Sequence, residues 1–436
     1  MKKIKRVLFE QLKLHLTKKE ISFIIGPRQA GKTTLMLFLK EHLEGKRKKT
    51  IFLNLDIERD KQFVVSQEKL IKKIQLEIGK EKGYVFIDEI QRKENAGVFL
   101  KGIYDMDLPY KFIVSGSGSV ELKGKIQESL VGRKRIFNLN VLSFEEFVNF
   151  RTNYKYEKKL SDFFEIDKEK TRELFEEYLN FGGYPRVVLE DRLEEKKKFI
   201  DEIYQSYLEK DISYFLGVQK TEEFTNLVRI MASQIGNLVN FSELSSTLGI
   251  SVKTVKNYLW YLQKTFILEK LVPYFKNVRK EITKTPIFYF NDLGLKNYSL
   301  GEFGNVTIAQ NLGFLFENFI FNILKEKIYY SPSRIHFWRT KDGAEVDFIV
   351  DTGKEIIPIE VKCQELKEPE VPRSLKNFIL KYQPRNAFLV NLGLKKEIKL
   401  NKTRIHFIPF YEVISPFRNT NHQDIITKSE AGITKK

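Results

Sequence analysis

A glycine-rich stretch near the N-terminus restricts the fold more than any other feature of the chain. Residues 23–39 read FIIGPRQAGKTTLMLFL, in which an apolar run precedes the loop and a helical pattern follows it. Gly26, Gly31, Lys32 and Thr33 stand at the spacing G-x-x-x-x-G-K-[ST]. Between a strand and a helix, such a loop turns its backbone N–H groups around a phosphate. The sequence therefore predicts a nucleotide site.

Residues on both sides of the loop complete the predicted site. Lys32 should contact the β- and γ-phosphate oxygens, and Thr33 should ligate Mg²⁺. In YVFIDEI, residues 84–90, an apolar run delivers Asp88 to the carboxyl edge of a sheet, where it can hold Mg²⁺ through water. Glu89 is placed to polarise the attacking water, although an acidic pair can also simply end a buried strand. The predicted cofactors are ATP and Mg²⁺, and the predicted nucleotide-binding residues are Gly26, Pro27, Arg28, Gln29, Ala30, Gly31, Lys32, Thr33, Thr34 and Ser115.

Three further candidates follow later in the first 150 residues. Ser115 and Ser117 end the apolar run of KFIVSGSGS and are candidates for sensing the γ-phosphate, but strands often end in a serine–glycine turn. Arg133 precedes another apolar run, RIFNLNV. An arginine there can stabilise transition-state charge in its own subunit or in a neighbour, or can be a plain surface residue.

The order of apolar runs predicts an α/β fold with a parallel sheet. Runs up to about residue 141 alternate with helical patterns, which is typical of strands covered by helices on both faces. A polar connector follows, and then a helical stretch that is broken at FGGYP. The expected divisions are a P-loop ATPase core at 1–150, a helical lid or connector at 151–219, a winged helix-turn-helix at 220–300, a second α/β domain at 305–414 and a flexible tail at 415–436.

Composition favours a polyanionic partner. Lys and Arg number 75 and Asp and Glu 57, a formal net charge of +18. This excess favours nucleic acid over a membrane surface, although solvated lysine-rich faces give the same balance. The single cysteine, Cys363, suits a reducing cytoplasm, and no apolar window is long enough to span a membrane. We expect a cytoplasmic protein.

Residues 240–271 carry the pattern of a helix-turn-helix. Gly249 supplies the turn and Ser251 can cap the second helix, whose outward positions include Lys253 and Lys256. Two strand-like runs flank a basic segment that is typical of a wing and contains Arg279 and Lys280. These four basic residues are the predicted DNA contacts, with the helix in the major groove and the wing on phosphate. A winged helix that only packs against protein remains the alternative.

A second group of carboxylates lies near the C-terminal end. Alternation in GAEVDFIV puts Asp347 opposite an apolar face, and in the next run Glu360 and Lys362 share one face. Glu317 is the one acid in the apolar helical pattern NLGFLFENFIFNIL. Burying these charges is costly unless they bind a cation or pair with each other. The sequence predicts either a metal site or a structural ion pair.

Several of these stretches together resemble one family. GPRQAGKTTL, VFIDEIQR, IVSGSGS, LVGR, LSFEEF and YLNFGGYPRVVLE are similar to prokaryotic AAA-type ATPases that carry a C-terminal domain of unknown function. The resemblance implies a RecA/AAA-like core, a winged helix and a restriction-endonuclease-like C-terminal domain. Unlike many AAA proteins, the chain has no evident sensor-2 arginine in the helices of residues 151–215, which leaves a homo-oligomer open.

The pattern of a helix Glu, a strand Asp and then Glu-x-Lys also resembles the PD-(D/E)XK nuclease fold. In that reading Asp347 and Glu360 hold Mg²⁺, Lys362 positions or deprotonates water, and Glu317 holds a metal-bound water or second metal. An inactive fold that only binds DNA is the alternative.

The whole chain is therefore predicted to be a Mg²⁺-dependent ATPase that binds duplex or branched DNA and processes it with the C-terminal domain. The rival hypothesis is a nucleotide-switched protein that docks to another protein and whose last domain is catalytically inactive.

Overall fold

The structure is a computed structural model. It describes residues 3–117, 129–206, 221–275, 277, 279, 281, 284–307, 312–329 and 331–413. Lys280 and the predicted tail at 415–436 lie outside the described residues. No helix in the described part of the chain is long and apolar enough to cross a membrane.

The predicted parallel sheet is confirmed. Among the described residues, five strands pair in the order β2-β3-β4-β1-β5, and every neighbouring pair is parallel. The three central strands β3, β4 and β1 are buried along their whole length, as expected for a sheet covered on both faces, whereas β2 and β5 at the edges are only partly buried. The strands are β1 (Ile21–Gly26), β2 (Thr50–Asn54), β3 (Gly83–Asp88), β4 (Tyr110–Ser117) and β5 (Lys134–Asn138).

Helices between these strands form both outer layers. One core lies on the face that contains Ile25 and Ile87, and the other on the face that contains Ile24 and Phe86. Successive residues of one strand thus point to opposite layers, as the period of a strand requires. The helices of this part are α1 (Val7–His15), α2 (Lys32–Gly45), α3 (Glu58–Lys61), α4 (Gln67–Ile78), α5 (Ala96–Asp105) and α6 (Phe144–Arg151).

The middle of the chain is mainly helical, as expected. The break at FGGYP falls between two helices, and a turn at Gly249 with φ 63° separates two others. The two strand-like runs form a two-stranded sheet of β6 (Leu268–Leu271) and β7 (Ile287–Phe290). The helices are α7 (Leu160–Ile166), α8 (Lys168–Phe181), α9 (Pro185–Leu189), α10 (Leu193–Gln205), α11 (Thr221–Ser233), α12 (Phe241–Leu248), α13 (Val252–Lys264) and α14 (Leu293–Ser299). The winged-helix assignment of this segment stays a prediction.

The C-terminal part is built on a mixed sheet. Within the described residues its six strands have the order β12-β13-β11-β10-β9-β8, with parallel pairs at β10–β11 and β11–β13 and antiparallel pairs elsewhere. Its elements are α15 (Gly313–Ile328), β8 (Arg334–Arg339), β9 (Glu345–Asp351), β10 (Ile356–Val361), α16 (Arg373–Tyr382), β11 (Asn386–Asn391), β12 (Lys396–Leu400) and β13 (Thr403–Pro409).

The chain divides into two compact units, each assembled from separate segments. One unit comprises Met1–Lys155, Phe181–Val228 and Leu244–Leu268, and the other comprises Tyr156–Asn180, Arg229–Glu243 and Glu269–Lys436. The parallel sheet lies in the first unit and the mixed sheet in the second. The finer division expected from the sequence stays a prediction.

Candidate functional site

The glycine-rich loop lies at the carboxyl edge of the parallel sheet. Strand β1 ends at Gly26 and β3 ends at Asp88, and both flank β4, which ends at Ser117. Because all three strands run in the same direction, their last residues meet at one edge. The sheet therefore brings together segments that are far apart in the sequence.

Two positions of the loop require glycine, each for a different reason. A Cβ on Gly26 would stand 2.0 Å from the carbonyl oxygen of Leu139, so no other residue fits there without moving the backbone. Gly31 has φ 92° and directly precedes α2, a left-handed conformation that favours glycine. These two positions let the loop turn tightly between β1 and α2.

A chain of hydrogen bonds joins the loop to β3 and β4. Thr33 Oγ1 donates to Asp88 Oδ2 at 2.6 Å, and Ser115 Oγ donates to Asp88 Oδ1. Lys32 is buried and its Nζ donates to the carbonyl oxygens of Gly26 (3.2 Å) and Pro27 (2.8 Å). The hydroxyl of Thr33 and the carboxylate of Asp88 are the hard oxygen ligands that Mg²⁺ prefers, so these residues fit that ion.

Glu89 is held by contacts on its backbone and its side chain. Its φ is 56°, and its N–H points at Ser115 Oγ (3.3 Å) and Asp88 Oδ1 (3.2 Å). Its carboxylate accepts a hydrogen bond from Gln91 Nε2, while Gln91 Oε1 accepts from the N–H of Ser117 at 3.3 Å. Burial raises the pKa of the Glu89 carboxyl, and the Lys32 ammonium lowers it in part. Gln91 was not among the residues predicted from the sequence.

Arg6, near the N-terminus, contacts the backbone of the loop through a side chain that is nearly buried. Arg6 Nη1 donates to the carbonyl oxygen of Ala30 at 2.9 Å, and Nη2 donates to that of Asn140 at 2.7 Å. Arg6 Nε also pairs with Glu146 at 3.1 Å, and both side chains are less than a tenth exposed. Arg6 thus connects the loop to the segment that enters α6.

A second arginine reaches the loop from the helical stretch. Arg186, in α9, places Nη1 3.4 Å from Gln29 Oε1 and 2.7 Å from Glu202. Gly183 lies close to Leu142, with a 2.8 Å hydrogen bond from the Leu142 N–H to the Gly183 carbonyl, and this fixes the chain just before α9. This contact brings an arginine of the 151–215 helices to the loop; the absence of a sensor-2 arginine from these helices stays a prediction. FGGYP was the signal, since its glycines mark a close backbone approach.

Arg133 lies at the other edge of the sheet. It precedes β5, which pairs with β1 from Ile21 onward, so it is at the amino edge, away from the loop after Gly26. Its guanidinium pairs with Asp105 at 2.7 Å. This position does not fit a role in the nucleotide site of the same chain; a role in a neighbouring subunit stays a prediction. Thr34 is exposed, and Arg28 and Gln29 are partly exposed on the loop.

The predicted carboxylates of the second unit do lie on adjacent strands. Strands β9 and β10 are antiparallel neighbours, with Phe348 opposite Ile359. Asp347 Oδ2 accepts a hydrogen bond from the Val361 N–H at 2.7 Å, and Glu360 Oε1 pairs with Lys362 Nζ at 2.8 Å. The other oxygen of Glu360, Oε2, is buried and has no hydrogen-bond partner among the residues that the structure describes.

Glu317 joins this cluster from helix α15. Its Oε1 accepts a hydrogen bond from the buried hydroxyl of Tyr289 in β7. Burial raises the pKa of Glu317 to about 8, and burial with the nearby Glu360 and Glu317 charges raises the pKa of Asp347 well above its usual range. Neighbouring carboxyl groups disfavour each other's ionised form, and a bound cation would relieve this repulsion.

The carboxylate cluster supplies few metal ligands. The described residues include no group of three or more His, Cys, Asp or Glu side chains that could hold a metal ion. Mg²⁺ often binds through one or two carboxylates and keeps several waters. Asp347 and Glu360, whose Oε2 is unpartnered, fit a Mg²⁺ ion that is held by two carboxylates and several waters. They do not fit a metal held by protein ligands alone.

The predicted DNA contacts lie on exposed positions where the structure describes them. Lys253 and Lys256 are exposed on α13, and Arg279 is exposed between β6 and β7. Ser251 caps α13 as expected, with its Oγ accepting from the Thr254 N–H at 3.1 Å.

Comparison with known proteins finds matches over most of the chain. The chain is 25% identical to an uncharacterized protein of Methanocaldococcus jannaschii over 380 residues, which are 86% of this chain and 81% of that protein. It is 28% identical to an uncharacterized protein of Haemophilus influenzae over 357 residues, 78% of this chain and 82% of that protein. Among solved structures, the chain is similar to AMPPCP-bound DnaA from Aquifex aeolicus at 17% identity. The match covers 60% of this chain and 88% of that chain, and its TM-score is 0.27, which carries no argument about the fold.

Three family models match consecutive parts of the chain. Residues 172–305 match a domain of unknown function (DUF8612), and residues 312–413 match another (DUF4143). Residues 18–148 match an AAA domain, and the loop, Asp88 and the parallel sheet all lie within this range. This match supports an AAA-type P-loop ATPase domain over residues 18–148.

Proposed function

We propose that the chain hydrolyses ATP with Mg²⁺ at the carboxyl edge of its parallel sheet. The hydrogen-bonded series Thr33–Asp88–Ser115 carries the proposal, since its hydroxyl and carboxylate oxygens lie beside the loop and would suit Mg²⁺. Bound Mg²⁺, held by Thr33 and by Asp88 through water, would neutralise charge on the phosphates.

The remaining residues divide the work of hydrolysis. Lys32 balances the charge of the β- and γ-phosphates once its Nζ turns from the loop carbonyls to the ligand. Glu89 accepts a proton from the water whose oxygen bonds to the γ-phosphorus, and the bond to the bridging oxygen breaks to release ADP. The raised pKa of Glu89 brings it nearer neutral pH, where a general base is effective.

ATP turnover by a Glu89→Gln variant tests this assignment. We expect nucleotide binding to be unchanged and ATP turnover to fall by at least about a hundredfold, since only the base is removed. Lys32→Ala should instead lose nucleotide affinity. Glu94→Gln, an exposed carboxylate nearby, is the matched control and should behave as wild type. Wild-type turnover by Glu89→Gln would refute the role of Glu89.

The proposed partner of the ATPase is DNA. The exposed Lys253 and Lys256 of α13 and the net charge of +18 support this choice over the rival, a nucleotide-switched protein that docks to another protein. The test is ATP turnover with and without DNA. Stimulation by DNA favours the first reading, whereas no stimulation together with no binding of DNA favours the second.

A second candidate activity is metal-dependent DNA cleavage by Asp347, Glu360 and Lys362. The buried, unpartnered Oε2 of Glu360 favours it, because a purely structural ion pair with Lys362 would leave that atom unsatisfied. Lys362 would position water and steady the charge on the phosphate. Glu317, which is hydrogen-bonded to Tyr289, would hold a metal-bound water or a second metal from helix α15.

Cleavage assays in Mg²⁺ and Mn²⁺ on linear, branched and single-stranded DNA test the second activity. Asp347→Asn should abolish cleavage and leave ATP turnover intact. Asp342→Asn, on an exposed turn, is the matched control. If wild type cuts no substrate in either metal, the inactive-fold reading replaces this proposal.

A further inference from the structure

One face of helix α13 carries a large aromatic side chain among lysines. Lys253, Lys256, Asn257 and Trp260 are all exposed, and their spacing places them on one side of the helix. The Trp260 side chain is 45% exposed. Lys264 continues the row, with its Nζ 5.8 Å from the centroid of the Trp260 ring. These five residues are called the α13 face below.

The charge of the α13 face is of one sign. Helix α13, Val252–Lys264, contains three lysines and no acidic residue. From Lys253 to Lys264 the row extends about 16 Å at 1.5 Å per residue. A row of cations without carboxylates on the same helix is complementary to a chain of phosphates.

The opposite side of α13 anchors the helix. Val255, Tyr258 and Leu262 are buried, and the Tyr258 ring lies edge-to-face against Phe224 with centroids 5.1 Å apart. The N-terminal turn is fixed by the Ser251 cap. Trp260 is therefore an aromatic surface on a firmly packed helix rather than part of a core.

We propose that the α13 face binds a single-stranded segment of DNA, with a base stacked on Trp260 and phosphates on the lysines. This inference rests on the proposed DNA partner and names the form of DNA that is recognised. In a duplex the bases already stack on one another, so the indole finds no free base surface there. An unpaired base offers its whole π-face, and cations beside the ring hold the strand.

Tryptophan fluorescence tests the stacking directly, because the chain has only two tryptophans. Trp338 is buried in the mixed-sheet unit, so a Trp338→Phe variant leaves Trp260 as the sole reporter. We expect oligothymidylate to quench this signal and the same sequence in a duplex to quench it much less. If Trp338→Phe folds poorly, the difference between wild type and Trp260→Phe isolates the same signal.

Affinity provides the second measurement. Trp260→Ala should weaken binding of the single strand about tenfold, within the range for loss of one stacked base, while Trp260→Phe retains most of it. Leu380→Ala, an exposed apolar residue on α16, is the control and should bind as wild type. Melting temperature and nucleotide binding show whether each variant is folded.

The outcomes separate the two proposals. Binding of single strands that leaves the Trp260 signal unchanged and tolerates Trp260→Ala overturns the stacking inference but keeps the DNA partner. Equal quenching and affinity with duplex overturns the preference for single strands. Folded, nucleotide-binding protein that binds neither form at low salt overturns the DNA partner as well.

Discussion

Gln91 lies two residues after Glu89, and its amide bridges that carboxylate to the backbone of β4. Its Nε2 donates to Glu89 and its Oε1 accepts from the Ser117 N–H at 3.3 Å. A donated hydrogen bond favours the ionised carboxylate and so lowers the pKa that burial raises. Gln91 is thus in a position to set both the orientation and the basicity of Glu89.

Replacing Gln91 with leucine should shift the pH dependence of ATP turnover. Glu89 works as the carboxylate, so activity falls as the pH drops through its pKa. Losing the Gln91 N–H raises that pKa further, which moves the acid limb of the pH–rate profile to higher pH. We expect about tenfold lower turnover near neutral pH, with partial recovery at alkaline pH, because a hydrogen bond to a charged group contributes roughly 1.5–3 kcal/mol.

The acid limb of kcat, measured for wild type and Gln91→Leu under saturating ATP, provides the check. Gln91→Glu is the companion variant, since it keeps the length of the side chain but replaces the donor with a like charge, and it should be slower still at neutral pH. An acid limb at the same pH in Gln91→Leu would show that the amide does not act on Glu89.

At the scale of elements, Arg6 ties three segments together at the back of the phosphate loop. It contacts the loop through Ala30, the segment after β5 through Asn140, and the first turn of α6 through Glu146. Glu146 also completes the cap of α6, because it accepts from the Ser143 N–H while its own N–H donates to Ser143 Oγ. The loop, strand and helix are therefore positioned by one buried ion pair.

Arg6→Met should destabilise the ATPase unit by about 3–5 kcal/mol, because Glu146 is left buried without its partner. Nucleotide affinity should fall as well, since Ala30 loses its support. Chemical unfolding and nucleotide titration measure the two effects. Lys3→Met is the matched control: it breaks an exposed pair with Glu41 and should cost less than about 1 kcal/mol. Equal stability of the two variants would contradict the role assigned to Arg6.

At the scale of the whole molecule, a net charge of +18 attracts nucleic acid without specifying where it binds. Each cation that contacts a phosphate contributes roughly one unit to the slope of log affinity against log salt. If helix α13 forms the contact surface, replacing Lys253, Lys256 and Lys264 with alanine should reduce the slope by about three units.

A control variant that removes the same charge elsewhere shows whether the salt slope depends on the position of the cations. Lys46, Arg47 and Lys48 are exposed between α2 and β2, and their replacement removes the same charge. We expect this control to change the slope little. Equal slopes in the two triple variants would show that binding follows net charge alone and would favour the protein-docking hypothesis.

The sequence alone determined the parts of the protein that depend on contiguous residues. The strands, the helix after the loop and the glycines at positions 26 and 31 follow from local spacing, because backbone conformation and burial are set over a few residues. It also predicted that Asp347 and Glu360 lie on adjacent strands, since alternation and a short connection specify a pair.

Only the tertiary structure decided which distant side chains reach the site. Arg186 contacts Gln29, although the two are 157 residues apart in the sequence. Gln91, rather than another residue near Glu89, contacts the carboxylate because the end of β4 passes beside it. The same applies to Arg133, which local reasoning assigned to the site and which the parallel direction of β5 places at the opposite edge. Sequence spacing carries no information on strand order or direction of approach, and a long-range contact depends on both.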